Sequence, residues 1–184
     1  VAETGREGEG AEILRAAARL LEAARGGGLR IACAESCTGG GVGAAITAIP
    51  GASEAFLGAV VTYSNGAKSG ILSVSPEDLE RFGAVSEPVA LAMARGARRL
   101  FGADLAVSVT GVAGPEGGSP QKPVGTVWFG LDGPDGERAV RECFEGSRDR
   151  IRSAAVLRAL ALLEEACGRG RSGTGKGVEA LGAS

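Results

Sequence analysis

Residues 29–41 read Leu29-Arg30-Ile31-Ala32-Cys33-Ala34-Glu35-Ser36-Cys37-Thr38-Gly39-Gly40-Gly41. The apolar run from Leu29 to Ala34 is short and predicts a buried strand. Gly39 to Ile49 can form a helix, stopped by Pro50-Gly51. A strand that runs through a glycine-rich loop into a helix is half of a βαβ unit, and it sets the reading of the flanking sequence. Upstream, Ile13, Leu14, Ala17, Leu20 and Leu21 recur at helical spacing between Ala11 and Arg25, and Gly26-Gly27-Gly28 closes that helix. Downstream, Phe56 to Tyr63 is a second strand. Ser75-Pro76-Glu77-Asp78 starts a helix with a cap, a first-turn proline and acids near the positive dipole end. Ser86-Glu87-Pro88 starts another that runs to about Phe101. Asp104 to Thr110 is a third strand. Val124 to Leu131 and Arg138 to Phe144 flank Asp132-Gly133-Pro134-Asp135-Gly136, a hairpin turn. Ser147 to Ala166 is a long closing helix. Alternating strands and helices predict a mostly parallel sheet with helices on both faces, and the late hairpin adds an antiparallel strand.

The chain has 184 residues, enough for one domain. Residues 11–168 carry the periodic pattern. Residues 1–10 and 169–184 are polar and rich in Gly, and they read as a flexible N-terminus and a flexible Gly/Arg-rich tail. Hydrophobic residues make up 44% but aromatics only 4%, so the core must be built from Ala, Val, Leu and Ile. A net charge of −2 provides no field to draw in nucleic acid. No apolar run approaches a membrane span and no signal-peptide pattern is visible, so a cytoplasmic location is expected. Cys33, Cys37, Cys143 and Cys167 form no Cys-x-x-Cys pair, and reduced thiols are expected.

The chain has no histidine. Ser-His-Asp, Cys-His and His-metal mechanisms are thereby excluded. A general base must be Lys, Tyr, a carboxylate or a thiolate. Basic residues total 20, yet only Lys68, Lys122 and Lys176 are lysines. Arg keeps its proton at any working pH, whereas a desolvated Lys can lose it.

Three loops follow strands, where ligands bind in open α/β sheets. In the first, Ala34 to Gly41, Ser36 can be a nucleophile, with amides around Thr38, Gly39 and Gly40 holding an oxyanion. Equally, Ser36 and Thr38 fit as helix caps. The second, Thr62 to Lys68, holds the only tyrosine and a lysine. Tyr63 and Lys68 are proton carriers if desolvated; otherwise Tyr63 covers a core edge and Lys68 is solvated. The third, Thr110 to Gly118, can wrap a phosphate with backbone amides or be a plain long turn. No Cys/Asp/Glu cluster has metal spacing, so neither metal nor cofactor is expected.

Five segments carry a resemblance: 34–40, 61–65 with Lys68, 83–87, 110–115 with Gly117-Gly118, and 123–127. They are similar, in order and spacing, to the signature segments of the CinA C-terminal domain family, from about Ala11 to Gly168. The resemblance implies a three-layer α/β/α sandwich with a mixed sheet. It also implies deamidation of nicotinamide mononucleotide to nicotinic acid mononucleotide with release of ammonia. On that basis Ser36 is the expected nucleophile, Lys68 with Tyr63 the proton carriers, and Cys37 the rival nucleophile. Thr38, Gly39, Gly40, Asn65, Thr110, Gly111, Gly114, Gly117, Gly118 and Arg148 are the expected substrate contacts. The expected partners are a small-molecule nucleotide and further copies of the chain in a homo-oligomer, with no nucleic acid and no membrane. Other family members are linked by name to competence. A non-catalytic nucleotide-binding or protein-interaction module is therefore the alternative.

Overall fold

The computed structural model describes residues 2–169, with side chains from residue 8 onward. Five strands form one sheet in the order β2-β1-β3-β4-β5: β1 Ile31–Glu35, β2 Phe56–Val61, β3 Leu105–Gly111, β4 Thr126–Gly133 and β5 Gly136–Cys143. β1 pairs in parallel with both β2 and β3, while β3–β4 and β4–β5 are antiparallel. β4 alone therefore runs against the other four strands. The fold is α/β, with a mixed sheet of mostly co-directed strands.

Strand β1 is buried along its whole length, as its unbroken apolar run requires of a central strand. Its alternate side chains enter two separate cores. Ile31 and Cys33 join Leu20, Leu21, Ile46, Phe129, Ile151, Leu160 and Leu163, packing the sheet against α1 (Ala2–Gly27), α2 (Gly41–Thr47) and α6 (Arg148–Arg169). Ala32 and Ala34 join Leu72 of α3 (Asn65–Leu72), Val74 just after it, and Val89, Met93 and Ala97 of α5 (Glu87–Phe101). The second core also takes Leu79 of α4 (Pro76–Phe82). Three layers result.

The α5 layer sits very close to the sheet. Ser108 Oγ donates to the Ala90 carbonyl at 2.6 Å and accepts from the Gly130 amide at 3.2 Å. A Cβ at Gly130 would fall onto the Ala90 carbonyl, so glycine is required there. Alanines on both surfaces permit this approach.

Several boundaries differ from the periodicity. Helix α1 begins at Ala2 rather than Ala11, because no proline interrupts the run upstream of the packed turns. The loop expected through Lys68 becomes α3 at Asn65, where Ser64 Oγ accepts from the Ala67 amide at 3.1 Å and caps the helix. The expected cap at Ser75 accepts from the Asp78 amide at 3.3 Å. Of the tail expected at 169–184, residues 170–184 lie outside the described residues. Among the described residues, no helix is long and apolar enough to cross a membrane.

Candidate functional site

The loops after β1 and β2 leave the sheet toward opposite layers, one into α2 and the other into α3. Neighbouring strands whose loops diverge in this way open a crevice at their carboxyl ends. Ser36 and Lys68 meet in that crevice. Ser36 follows β1 directly, and its amide donates to the Val109 carbonyl of β3 at 2.9 Å. Lys68 projects from the first turn of α3, and its Nζ donates to Ser36 Oγ at 3.0 Å. The same nitrogen donates to the Thr62 carbonyl at 2.7 Å and approaches the Tyr63 carbonyl at 3.4 Å.

Lys68 is only 1% exposed, and among the described residues no carboxylate pairs with it. Burial lowers its pKa below the ordinary 10.5, with the nearby Cys37 pulling weakly the other way. The two carbonyls can only accept, so they hold two N–H groups. The third position of the nitrogen faces Ser36. When Lys68 is neutral, that position is a lone pair able to accept the serine proton.

A cleft of about 290 Å³ opens over this pair. Its lining brings together Ser36, Tyr63, Lys68, Thr110, Gly111, Gly114, Gly117 and Arg148 from the residues expected at the site. Arg148 stands at the start of α6, and its guanidinium donates to the Gly114 carbonyl at 2.7 Å and to the Tyr63 hydroxyl at 3.2 Å. The Tyr63 ring is 63% exposed, and its hydroxyl pairs with Arg148 rather than with Ser36. Thr110 lines the cleft with its hydroxyl committed to the Ala84 carbonyl at 2.8 Å. Cys37 and Glu116 also line the cleft.

The remaining expected contacts lie elsewhere. Thr38 is buried and faces a separate cleft beside Arg152 and Ser153. The Gly39 amide donates to the Ser36 carbonyl at 3.1 Å and the Gly40 amide to Glu35 at 2.9 Å. Both glycines have positive φ, which turns the chain into α2. Their amides are therefore not available to an oxyanion. The amides of Cys37 and Thr38 make no backbone hydrogen bond among the described residues. Asn65 is an exposed first residue of α3, and Gly118 packs against Val124.

Two residues outside the expected set organise the serine loop. Arg152 of α6 donates to the Cys37 carbonyl at 3.2 Å and to the Thr38 carbonyl at 2.9 Å. Glu35 is wholly buried, and its carboxylate accepts from the amides of Gly40, Val42 and Gly43 at 2.9, 3.1 and 2.8 Å. A sequence signal for Glu35 exists. It is a charge closing an apolar strand, just ahead of a helix that has no acid or capping hydroxyl in its own first turn. The Cys37 thiol is pushed up to about 11, mainly by burial; the Glu35 charge adds to this, while its own backbone, Lys68 and Arg152 oppose it. It is a protonated thiol at neutral pH.

A family model described as the CinA C-terminal domain matches residues 14–167. The chain belongs to the CinA C-terminal domain family. A CinA-like protein of Anaeromyxobacter sp. (strain K) is 51% identical over 156 residues, covering 85% of this chain and 38% of the relative. One from Geobacter metallireducens is 51% identical over 153 residues, covering 83% and 36%. The chain thus spans less than two fifths of the length of these curated relatives. Among solved structures, competence damage-inducible protein A from Klebsiella pneumoniae superimposes with a TM-score of 0.80 at 39% identity, covering 83% of this chain and 95% of that one. The competence/damage inducible protein CihA of Agrobacterium tumefaciens gives 0.79 at 41% identity, covering 85% and 95%.

Proposed function

We propose that this domain hydrolyses the carboxamide of nicotinamide mononucleotide, giving nicotinic acid mononucleotide and ammonia through a Ser36–Lys68 dyad. The observation that carries the reading is the buried, carboxylate-free Lys68 nitrogen 3.0 Å from Ser36 Oγ. A surface lysine would gain nothing from such a place. A base that must be neutral near physiological pH requires it.

Ser36 Oγ attacks the carboxamide carbon while its proton passes to Lys68 Nζ. The Cys37 amide, next to the serine in the chain and at the lining of the cleft, receives the developing oxyanion, such a donor contributing about 3 kcal/mol in comparable hydrolases. The tetrahedral adduct collapses as the C–N bond breaks, and Lys68 returns the proton to the departing nitrogen, which leaves as ammonia. Water then adds to the ester formed on Ser36, giving its proton to Lys68. The C–Oγ bond breaks and Lys68 restores the serine hydroxyl. Arg148 and the amides of Ala113, Gly114, Glu116 and Gly117 are the donors for the substrate phosphate. Tyr63 and Gly114 hold the Arg148 guanidinium at the mouth of the cleft.

Ammonia release from nicotinamide mononucleotide tests the reading. Ser36→Ala should abolish turnover with an unchanged circular dichroism spectrum. Binding of the nucleotide without any release of ammonia by the native protein would favour a binding module instead.

A further inference from the structure

Glu35 takes no direct part in the reaction above. It touches neither Ser36 Oγ nor Lys68, and among the described residues it has no cationic partner. A fully buried carboxylate without a cation persists only when its oxygens are well satisfied. Here they take three amides from the opening of α2. The glycines around that helix start make this possible. A Cβ at Gly43 would approach Ala59 at 2.7 Å, so α2 lies against β2 and its amides face the strand end. Those amides open the helix that directly follows the loop carrying Ser36 and Cys37.

Resting on the serine reading above, we propose that Glu35 is a positioning residue that selects which of two neighbouring side chains acts. By occupying the opening amides of α2, it fixes the Ser36–Cys37 turn with the hydroxyl toward Lys68 and withholds those amides from the thiol. Cys37 occupies a place where thiols are usually activated, beside a helix opening and near two cations. The charged groups facing it are Glu35 on β1, Lys68 on α3 and Arg152 on α6. Only the first is negative, and it holds the amides. Its charge also pushes the thiol upward, in the same direction as burial. The loop therefore presents a hydroxyl nucleophile beside an inert thiol.

Two chemical probes read this without using the nucleotide. A fluorophosphonate reports on Ser36, and iodoacetamide on Cys37, both followed by peptide mass mapping in a Cys143→Ser background, because Cys143 is an exposed thiol. In Glu35→Gln, Ser36 labelling should slow by ~10²-fold, the scale of a misplacement near 1 Å. Cys37 alkylation at pH 8 should rise about tenfold as amides become available to a thiolate. Glu35→Asp keeps the charge one methylene short. It should leave alkylation low while Ser36 labelling stays impaired, a split that a purely structural role would not give. Wild-type rates at both residues in a folded Glu35→Gln protein would overturn the proposal. If neither variant folds, the wild-type alkylation profile decides. A rate still climbing at pH 10 is the inert thiol that the proposal requires beside Ser36, and a plateau below pH 8 overturns it. Absence of Ser36 labelling in the wild type would instead sink the serine reading itself.

Discussion

The side chain that distinguishes this site is Lys68, and its identity is testable against the nearest substitute. Arg preserves charge and most of the length but cannot give up a proton near neutrality. Lys68→Arg should therefore be nearly as damaging as Lys68→Ala, with kcat falling by about 10²–10⁴-fold in both. Steady-state ammonia release checks this, and a folded Arg variant with wild-type kcat would remove Lys68 as the base. Stability carries a second signature. The folded-state pKa of Lys68 lies below its unfolded value of 10.5, so the unfolded chain binds more protons in the interval between them. That group's unfavourable contribution is full below the folded pKa and fades as pH rises toward 10.5. Urea unfolding of wild type and Lys68→Met should show the wild type gaining stability relative to the variant between pH 7 and 10. A constant difference would mean that Lys68 is not desolvated. Ser36 and Lys68 could be picked out as candidates from residue type and position after strands, whereas nothing in the sequence placed Arg148 beside them. Glu35 was marked only as a charge closing an apolar strand and Arg152 not at all, because the partners of both are backbone groups.

Helix α3 brings the lysine to the serine, and two glycines bear on it in opposite ways. Gly70 lies inside the helix, and a Cβ added there would meet nothing within 4 Å, so Gly70→Ala should raise stability by roughly 0.5–1 kcal/mol. Gly96 of α5 faces the end of α3, where a Cβ would collide with the Leu72 backbone. Gly96→Ala should cost about 1–3 kcal/mol through overpacking and shift α3, lowering kcat as well as the urea midpoint. Equal effects of the two substitutions on the midpoint would contradict the packing described. The strands and the two helices opened by serines could be anticipated from apolar runs and from Ser75 and Ser86. Helix α3 was not anticipated, since Asn65-Gly66-Ala67-Lys68-Ser69-Gly70 has the composition of a turn; the Ser64 cap and the burial of Leu72 in the α5-side core hold it helical.

Across the whole molecule, stability divides between the two cores. The core under α1, α2 and α6 is the larger and holds most of the Leu, Ile and Phe side chains, while the core on the α5 side is smaller and richer in alanine. Leu20 is fully buried and Leu14 is 43% exposed on the same helix. Leu20→Ala should cost about 2–5 kcal/mol and Leu14→Ala less than ~0.5 kcal/mol in chemical denaturation. A similar loss at both positions would place α1 differently on the sheet. The α/β class and mixed sheet followed from the order of strands and helices. Strand order did not, because which side of β1 each neighbour takes depends on crossovers that local periodicity does not encode.

The sealing of Lys68 from solvent has a kinetic meaning. In the proposed mechanism, a base with 1% of its surface in water is screened from dissolved buffer acids, and the proton lifted from Ser36 is the one that departs with ammonia. Turnover should then be indifferent to buffer identity and concentration at fixed pH. On that reading the Ser36–Lys68 pair is a proton reservoir of capacity one, refilled when the next water enters.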